Sequence, residues 1–308
     1  MAERNSQHTK RNHYVPQFYM RQFALDDDRT KVKCLSRHAP YVSVGVKSIA
    51  RIGYEEDLYT FSVAGSKASI EDDLNQTIET PIVNSDTWKK IVAGEPDRLD
   101  QSDKLTLYLL MRHLQFRNIE NLRFIEQEAA HARDFGFRDD YSEDEREMYA
   151  ALSRTAAGPP SYFLSMAVNM QQFALHWDRA SIAVIRSRVP LRSSTNPTLV
   201  IPRKLGHITL LEELEAGAFC YWLPLSPHFG VMLTMSHRFN DFVHQELPDD
   251  AARVFNRLYL GQLLEMPSTR HCFADDPEIE GDLQWAGFDR FDGTGDRGRY
   301  KREVRHTG

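Results

Sequence analysis

Residues 12–24 read Asn-His-Tyr-Val-Pro-Gln-Phe-Tyr-Met-Arg-Gln-Phe-Ala, so four aromatic rings stand close to a histidine and an arginine. Proline favours the first turn of a helix, and it holds the residue before it in an extended conformation. Pro16 therefore predicts an extended lead-in followed by a helix. Helical spacing then places Phe18, Tyr19 and Phe23 on one side of that helix.

Two interpretations of this segment remain open. In the first, the aromatic rings close off one end of the hydrophobic core, because clustered aromatic side chains usually pack together. In the second, His13 on the lead-in and Arg21 on the helix line a polar pocket. Tyr14 and Gln17 would then contact a substrate in the same pocket.

The composition bounds the class of protein. The chain has 308 residues, of which 41% are hydrophobic and 27% are charged, and this is enough for one large domain or two small ones. Its net charge is -6 and its isoelectric point is about 6.1. Such a balance gives no general basic surface, so a nucleic acid or another anionic ligand would have to bind at a local site.

The cysteines and the apolar runs indicate a compartment. Cys34, Cys220 and Cys272 lie far apart and are odd in number, which fits neither a disulfide framework nor a zinc cluster. We expect a reducing cytoplasm. The first residues are polar, so no signal peptide is expected, and no apolar run approaches the roughly 18 residues of a membrane span. We expect no membrane partner.

The order of the predicted elements indicates an α+β fold, because helices come first and strands come later. We expect a helix-rich N-terminal part around a long central helix, and a mainly antiparallel β-sheet in the C-terminal half. The expected organisation is a loose N-terminus at 1–11, a single α+β domain at 12–274 and a peripheral tail at 275–308. Within the domain, the helical part covers about 69–177 and the β-rich part about 178–240.

The long central helix, predicted over about 100–134, carries a group of polar residues among leucines. His113, Arg117 and Glu120 share one face, and Gln115 lies nearby. Polar groups on a buried helix need partners. Either Arg117 pairs with Glu120 within the helix beside a hydrogen-bonded histidine, or the group faces a cleft in which Arg117 binds an anion.

A helix predicted over 69–93, with Ser69 as its cap, carries Glu71 and Glu79. On a regular helix these glutamates would be about 80° and about 12 Å apart, so they could not share one ion without ligands from elsewhere. Either both belong to a solvated acidic face, or Glu79 supplies a carboxylate to a functional site.

Residues 192–197 read Arg-Ser-Ser-Thr-Asn-Pro and predict a tight turn. Turns of this kind at strand ends can hold a phosphate or a substrate, which makes Ser194 and Asn196 candidate binding residues. They also occur as ordinary structural turns, and the sequence favours neither alternative.

The His-Tyr-Val-Pro string at 13–16 and the residues after it resemble an uncharacterised microbial family, catalogued as domain of unknown function 4238. Weaker similarities extend over roughly residues 10 to 270 and include the turn at 192–197. There the family pattern has an aspartate where this chain has Thr195, so a role for that carboxylate is not carried over. The resemblance implies a shared fold and a shared site, and it implies no activity.

Common catalytic motifs are missing from the sequence, including GxxxxGK[ST], GxSxG and HExxH. Two hypotheses from different classes follow. The first is a hydrolase that acts on nucleic acid or another phosphate ester, with His13 as acid or base, Arg21 and Arg117 as anion clamps and Glu79 as a base or metal ligand. A divalent metal ion would belong to this hypothesis if the enzyme is a nuclease. The second is a non-catalytic module that binds a ligand or a protein.

Overall fold

A computed structural model describes the chain in segments separated by gaps. Within the helical part, the sequence also predicts a short helix at 143–155 and a helix at 161–177, and most of their residues lie outside the described ranges. The described ranges are 11–58, 60–63, 66–69, 71–143, 146–147, 150, 177–201, 220–235, 242–273, 275–295 and 297–302.

Eight α-helices are described, with one π-helical turn between two of them. The helices are α1 (Gln17–Met20), α2 (Glu71–Leu74), α3 (Thr80–Asn84), α4 (Asp86–Val92), α5 (Lys104–Phe116), α6 (Ile119–Phe135), α7 (Asp249–Glu265) and α8 (Ile279–Trp285). The π-helical turn is Asn75–Glu79. Among the described residues, no helix has the length and apolar character needed to cross a membrane.

Fifteen β-strands are described. They are β1 (Arg11–His13), β2 (Lys31–His38), β3 (Tyr41–Ser48), β4 (Tyr54–Glu56), β5 (Thr60–Val63), β6 (Ser66–Ser69), β7 (Ala180–Ser187), β8 (Ser193–Ser194), β9 (Leu199–Ile201), β10 (Cys220–Pro224), β11 (Phe229–Met235), β12 (Phe242–Leu247), β13 (His271–Phe273), β14 (Phe288–Asp292) and β15 (Gly298–Arg302).

The strands form two large sheets and two small pairs. The five-stranded sheet has the order β12-β7-β11-β10-β9, and all its pairs are antiparallel except β12 with β7. The six-stranded sheet has the order β14-β15-β3-β2-β13-β8 and is antiparallel throughout. The small pairs are β1 with β4 and β5 with β6. Helices together with antiparallel sheets confirm the α+β class.

The five-stranded sheet is buried on both faces. Along β7, Ile182 and Val184 belong to one hydrophobic cluster, which also contains the apolar side of α5. The intervening Ala183 and Ile185 belong to a second cluster, which contains the apolar side of α7. Successive side chains of a strand point to opposite faces, so a strand covered on both faces has a continuous apolar run.

The helical layout differs from the prediction at residues 117–118. The expected helix over 100–134 is two helices, α5 and α6, and it begins with a 3₁₀ turn over Gln101–Asp103 that Asp100 caps. At the break, Asn118 donates a side-chain hydrogen bond of 2.6 Å to the carbonyl oxygen of Gln115. Asparagine competes for main-chain partners in this way, which favours helix ends.

Two further expectations were wrong. Ser69 does not cap a helix, because it ends strand β6. The C-terminal tail is not peripheral, since β14 and β15 extend the six-stranded sheet and Leu283 of α8 lies in the second hydrophobic cluster. The β-structure is therefore not confined to the C-terminal half. Strands β2 and β3 from the first fifty residues pair with strands from the last forty.

Candidate functional site

The lead-in before Pro16 is strand β1, which pairs with β4 so that His13 lies opposite Tyr54. The turn that makes this pairing possible needs Gly53. Its φ is +64°, and an added Cβ would come within 3.1 Å of the Val15 Cβ. The carbonyl oxygen of Gly53 also accepts the N–H of Tyr14 at 2.9 Å. The peptide of the glycine therefore holds the segment after His13 in place.

Two side chains from the C-terminal end of α5, those of His113 and Arg117, meet at the carboxylate of Glu79. One of its oxygens, Oε1, is in contact with the guanidinium of Arg117 and accepts a hydrogen bond of 3.2 Å from His113 Nε2. Arg117 also donates from Nη2 to the carbonyl oxygen of His13 at 2.6 Å. The side chains of His113 and Arg117 are essentially inaccessible to solvent, at 0% and 1% exposure.

The local fold explains why these residues converge. Arg117 follows His113 by one helical turn at the end of α5, so both reach the same neighbour. Glu79 ends the π-helical turn, a form that is frequent at functional sites. Glu71, at the start of α2, accepts a hydrogen bond of 2.5 Å from Asn12 Nδ2 on the other side of β1. The segment from α2 to the end of the π-helical turn is therefore attached to β1, directly through Glu71 and Asn12 and through Arg117 at Glu79.

The electrostatic environment keeps both histidines neutral at pH 7. Burial, together with the nearby charges of Arg117 and Arg11, lowers the pKa of His13 to about 4, although a hydrogen bond to the main chain of Ile49 favours the protonated ring. Burial alone lowers the pKa of His113 to about 4. The Glu79 contact does not reverse this shift, because the same carboxylate oxygen also neutralises Arg117.

The ring of His13 has a mixed aromatic and cationic neighbourhood. The Gln17 amide nitrogen lies 3.4 Å from each ring nitrogen, and the Tyr54 ring centroid lies 5.8 Å from the imidazole centroid. The exposed side chain of Arg11, on the same face of β1, stacks over the Tyr54 ring at 5.1 Å. Of the two arginines beside His13, Arg11 is therefore the exposed one and Arg117 the buried one.

Tyr14 connects this site to the turn at 192–197. Its hydroxyl is hydrogen-bonded to the side chain of Thr195, and burial raises its pKa to about 12. The Thr195 hydroxyl also accepts the N–H groups of Arg270 at 3.1 Å and His271 at 3.3 Å. The threonine therefore supplies the acceptor that a carboxylate at this position would offer to the same main-chain groups.

Tyr19 joins α1 to two distant turns. Its hydroxyl lies 2.7 Å from Ser193 Oγ and donates to the carbonyl oxygen of Pro224 at 2.7 Å. Its ring is fully buried and packs against Phe23 at 5.6 Å. The aromatic side of the N-terminal segment therefore packs into the core, as the first interpretation expected, while His13 on the same segment lies in the polar site.

The structure brings together the three residues that the sequence assigned to catalysis, His13, Glu79 and Arg117. It does not form the intrahelical pair of Arg117 with Glu120, because the helix break intervenes and Glu120 instead accepts the N–H of Ser268 at 3.0 Å. The expectation of a solvated acidic face for Glu71 and Glu79 was wrong, since both carboxylates have partners.

The residues assigned to substrate binding divide into two groups. Tyr14 and Gln17 contact the site or its neighbours. The others do not point to it: Gln115 accepts a hydrogen bond of 2.7 Å from Arg112, and Ser194 donates one of 2.8 Å to the carbonyl oxygen of Asn196 in a buried turn.

Arg21 does not serve as an anion clamp in this site. Its side chain is exposed at the start of a 3₁₀ turn, and it makes no hydrogen bond or ion pair with the described residues. The prediction placed it on a longer helix, but α1 has a single turn, so Arg21 lies where the chain is already turning away from His13.

Arg11, Asn12 and Tyr54 were missed by the sequence reasoning. Arg11 and His13 alternate on a strand, which places them on one face, but this signal needs β1 to be recognised as a strand. Nothing in the sequence pairs residue 13 with residue 54. Among the described residues, no group of three or more His, Cys, Asp or Glu side chains has the arrangement of a metal site.

Comparison with known proteins identifies one family. The family model described as "Protein of unknown function (DUF4238)" matches residues 11–262. The match includes the N-terminal segment, the Glu79 helix, α5 and the turn at 192–197. No curated protein and no solved structure is significantly similar to the chain.

Proposed function

Since the chain belongs to the DUF4238 family, whose description assigns no activity, we propose from the geometry of the site that the protein is a hydrolase of phosphate esters, with nucleic acid as one class of substrate. The observation that carries the proposal is a neutral, half-buried imidazole next to two arginines. His13 is the proton acceptor in this proposal, and Arg11 is the residue that meets the anionic group.

The protonation state of the two ring nitrogens of His13 supports this role. The main-chain hydrogen bond to Ile49 uses one ring N–H, which leaves the other ring nitrogen unprotonated at pH 7 as an acceptor. That nitrogen takes a proton from water as the water oxygen attacks phosphorus, and the ester oxygen leaves. A bound phosphate brings negative charge close to the ring and raises its pKa, so His13 becomes a stronger base in the complex.

Arg117 and Glu79 act as positioning residues in this proposal. The Arg117 guanidinium is buried between Glu79 and the carbonyl oxygen of His13, so it holds the main chain that carries the imidazole. Its charge also keeps His13 neutral. The hydrolase hypothesis from the sequence gave Arg117 direct contact with the anion, and we now assign that contact to Arg11.

A divalent metal ion is part of the proposal only for a nuclease. Glu79 is the carboxylate that the hydrolase hypothesis offered as a metal ligand, and it is already in contact with Arg117 and His113. The described residues of the site therefore do not fit a metal ion, and no step is assigned to one.

The second candidate function is a module that binds a ligand without catalysis. It is favoured by the way Glu79, Arg117 and His113 satisfy one another while buried, as in a purely structural polar cluster. Under this alternative, Arg11 and Tyr54 bind an anionic ligand and His13 does no proton transfer.

One experiment separates the two functions. The wild-type chain, His13→Ala and Arg11→Ala are assayed for hydrolysis of bis(p-nitrophenyl) phosphate, p-nitrophenyl phosphate and a single-stranded oligonucleotide, and for binding of the same compounds. His13→Ala should fold, because Arg117 bonds the main chain and not the imidazole at this position. We expect its kcat to fall by roughly 100-fold or more with binding retained, and Arg11→Ala to weaken binding.

Binding by the wild-type chain without any hydrolysis would support the second candidate. Hydrolysis that His13→Ala leaves unchanged would contradict the role of His13. We also propose a cytoplasmic location, supported by three free and buried thiols at Cys34, Cys220 and Cys272.

A further inference from the structure

A cavity of about 560 Å³ lies on another part of the molecule. It opens between the end of α4, the end of β7 and the turn between β10 and β11. Its volume is in the range of small-molecule sites, roughly 300–1,000 Å³. No residue of the cavity wall belongs to the site around His13, so the two features can be tested independently.

The cavity wall carries three arginines, of which one is already neutralised. Arg186 makes two hydrogen bonds to the Asp97 carboxylate, at 2.7 and 2.9 Å, and its other terminal nitrogen lies 3.0 Å from Glu246. This arginine joins β7 to β12 and to the turn after α4. It therefore shapes the wall and has little charge left for a ligand.

Arg29 and Arg188 are the cations available to a ligand. Neither guanidinium forms an ion pair with a carboxylate in the described part of the chain. Arg29 donates to the carbonyl oxygen of Val92 at 3.3 Å, and Arg188 is exposed at the end of β7. The three arginines of the wall and the two carboxylates that pair with Arg186 together carry one positive charge. The net charge of the whole chain is -6.

Arg29 is held in an uncommon conformation. Its φ is +52°, which few residues other than glycine adopt. The Asp26 carboxylate fixes this loop by accepting the N–H groups of Thr30 at 3.0 Å and Lys31 at 2.8 Å. Local strain of this kind is concentrated at ligand-binding positions, and here it directs an arginine to a cavity.

The rest of the wall is partly apolar. Ile91, Pro96 and Phe229 line it beside the polar groups. We propose that the cavity binds a small phosphorylated molecule. Arg29 and Arg188 hold its phosphate from two walls, and the apolar surface contacts its carbon skeleton. Two guanidinium groups match a dianion such as a phosphate monoester better than a single carboxylate.

Calorimetric titration of the full chain with ribose 5-phosphate tests the proposal, with ribose and inorganic phosphate as separate probes. We expect ribose 5-phosphate to bind, inorganic phosphate to bind more weakly and ribose not to bind. Arg188→Ala and Arg29→Gly should each weaken the binding of ribose 5-phosphate by about tenfold or more. Glycine is chosen at position 29 because it adopts a positive φ without strain, so this variant keeps the loop.

Arg133→Ala is the matched control, since Arg133 is an exposed arginine of α6 whose ion pair within the described ranges is with its neighbour Asp134. It should bind ribose 5-phosphate like the wild-type chain. Arg188→Ala should hydrolyse p-nitrophenyl phosphate like the wild-type chain, because Arg188 lies outside the site around His13, so failure of the hydrolase proposal is distinguishable from failure of this one. Absence of binding by the wild-type chain, or equal affinity in the wild-type chain and both arginine variants, would overturn the proposal.

Discussion

The guanidinium of Arg117 donates a hydrogen bond to the main-chain carbonyl oxygen of His13, although 104 positions separate the two residues in the sequence. Because the acceptor is the main chain, this contact sets the position of strand β1 but leaves the imidazole free of it. The same guanidinium is neutralised by Glu79. The pair therefore fixes the main chain of β1 through a buried guanidinium that Glu79 neutralises.

Glu79→Ala should destabilise the chain strongly. It leaves the Arg117 guanidinium, whose side chain is 1% exposed, without its carboxylate. Removing one partner of a buried ion pair costs about 3–5 kcal/mol of unfolding free energy. Urea denaturation measures this, and Glu79→Gln should lose less because the amide still offers an acceptor. Glu95→Ala, which breaks the exposed pair with Arg98, is the control and should cost no more than about 1 kcal/mol.

The free energy of unfolding should decrease as the pH falls from about 6.5 towards 4. The pKa values of His13 and His113 are lowered to about 4 and that of His271 to about 3 in the folded chain, against about 6.5 when unfolded. Between these values the unfolded state binds more protons, so acid favours it. Each histidine contributes at most about 1.4 kcal/mol per pH unit.

His113→Gln tests how much one histidine contributes to the pH dependence of the unfolding free energy. Its stability should depend less on pH than that of the wild-type chain between pH 4 and 6.5, and the two should run parallel above pH 7. Urea denaturation at half-unit steps of pH measures both slopes. Equal slopes below pH 6.5 would show that His113 is not held neutral by the fold.

Thr195→Val should cost about 1–3 kcal/mol of unfolding free energy, because it keeps the shape of the side chain and removes the acceptor of two partly buried N–H groups. It also removes the partner of the Tyr14 hydroxyl. Thr195→Ser retains the hydroxyl and should lose clearly less. If the melting temperature of Thr195→Ser were lower than that of Thr195→Val, the hydroxyl would not be the stabilising group.

Tyr19→Phe should lower stability by a similar amount, about 1–3 kcal/mol, because two buried oxygen atoms at Ser193 and Pro224 lose their partner. The ring itself and its packing stay. Tyr41→Phe is the matched change, since the Tyr41 hydroxyl makes no hydrogen bond with the described residues. Equal melting temperatures for the two variants would argue against Tyr19 as the connection between α1 and the turns.

Arg192→Met should destabilise the chain and loosen the C-terminal region. The guanidinium is fully buried and lies 2.7 Å from carboxylate oxygens of both Asp276 and Asp282. Methionine leaves both carboxylates buried with one cation fewer, which costs about 3–5 kcal/mol. In this variant, hydrogen exchange in α8 should be faster than in the wild-type chain, and exchange in α5 should change less. Unchanged exchange in α8 would mean that these pairs do not hold the tail against the domain.

Several features could be read from local patterns. Pro16 predicted the helix start and the extended lead-in, and the β-rich part predicted over about 178–240 contains β7, β10 and β11. The resemblance to the DUF4238 family is confirmed over residues 11–262. These predictions succeeded because each depends on steric preferences or on periodicity within a few neighbouring residues.

Other features depend on contacts between distant segments. The sequence alone determined the α+β class and a list of polar residues on buried elements that needed partners, and it offered the aromatic packing of the N-terminal segment as one of two interpretations. Only the tertiary structure decided that Arg117 pairs with Glu79 and not Glu120, that Arg21 faces solvent, and that the tail completes a sheet. The physical reason is that a buried charge takes the partner that packing brings within reach, and sequence distance does not measure that reach.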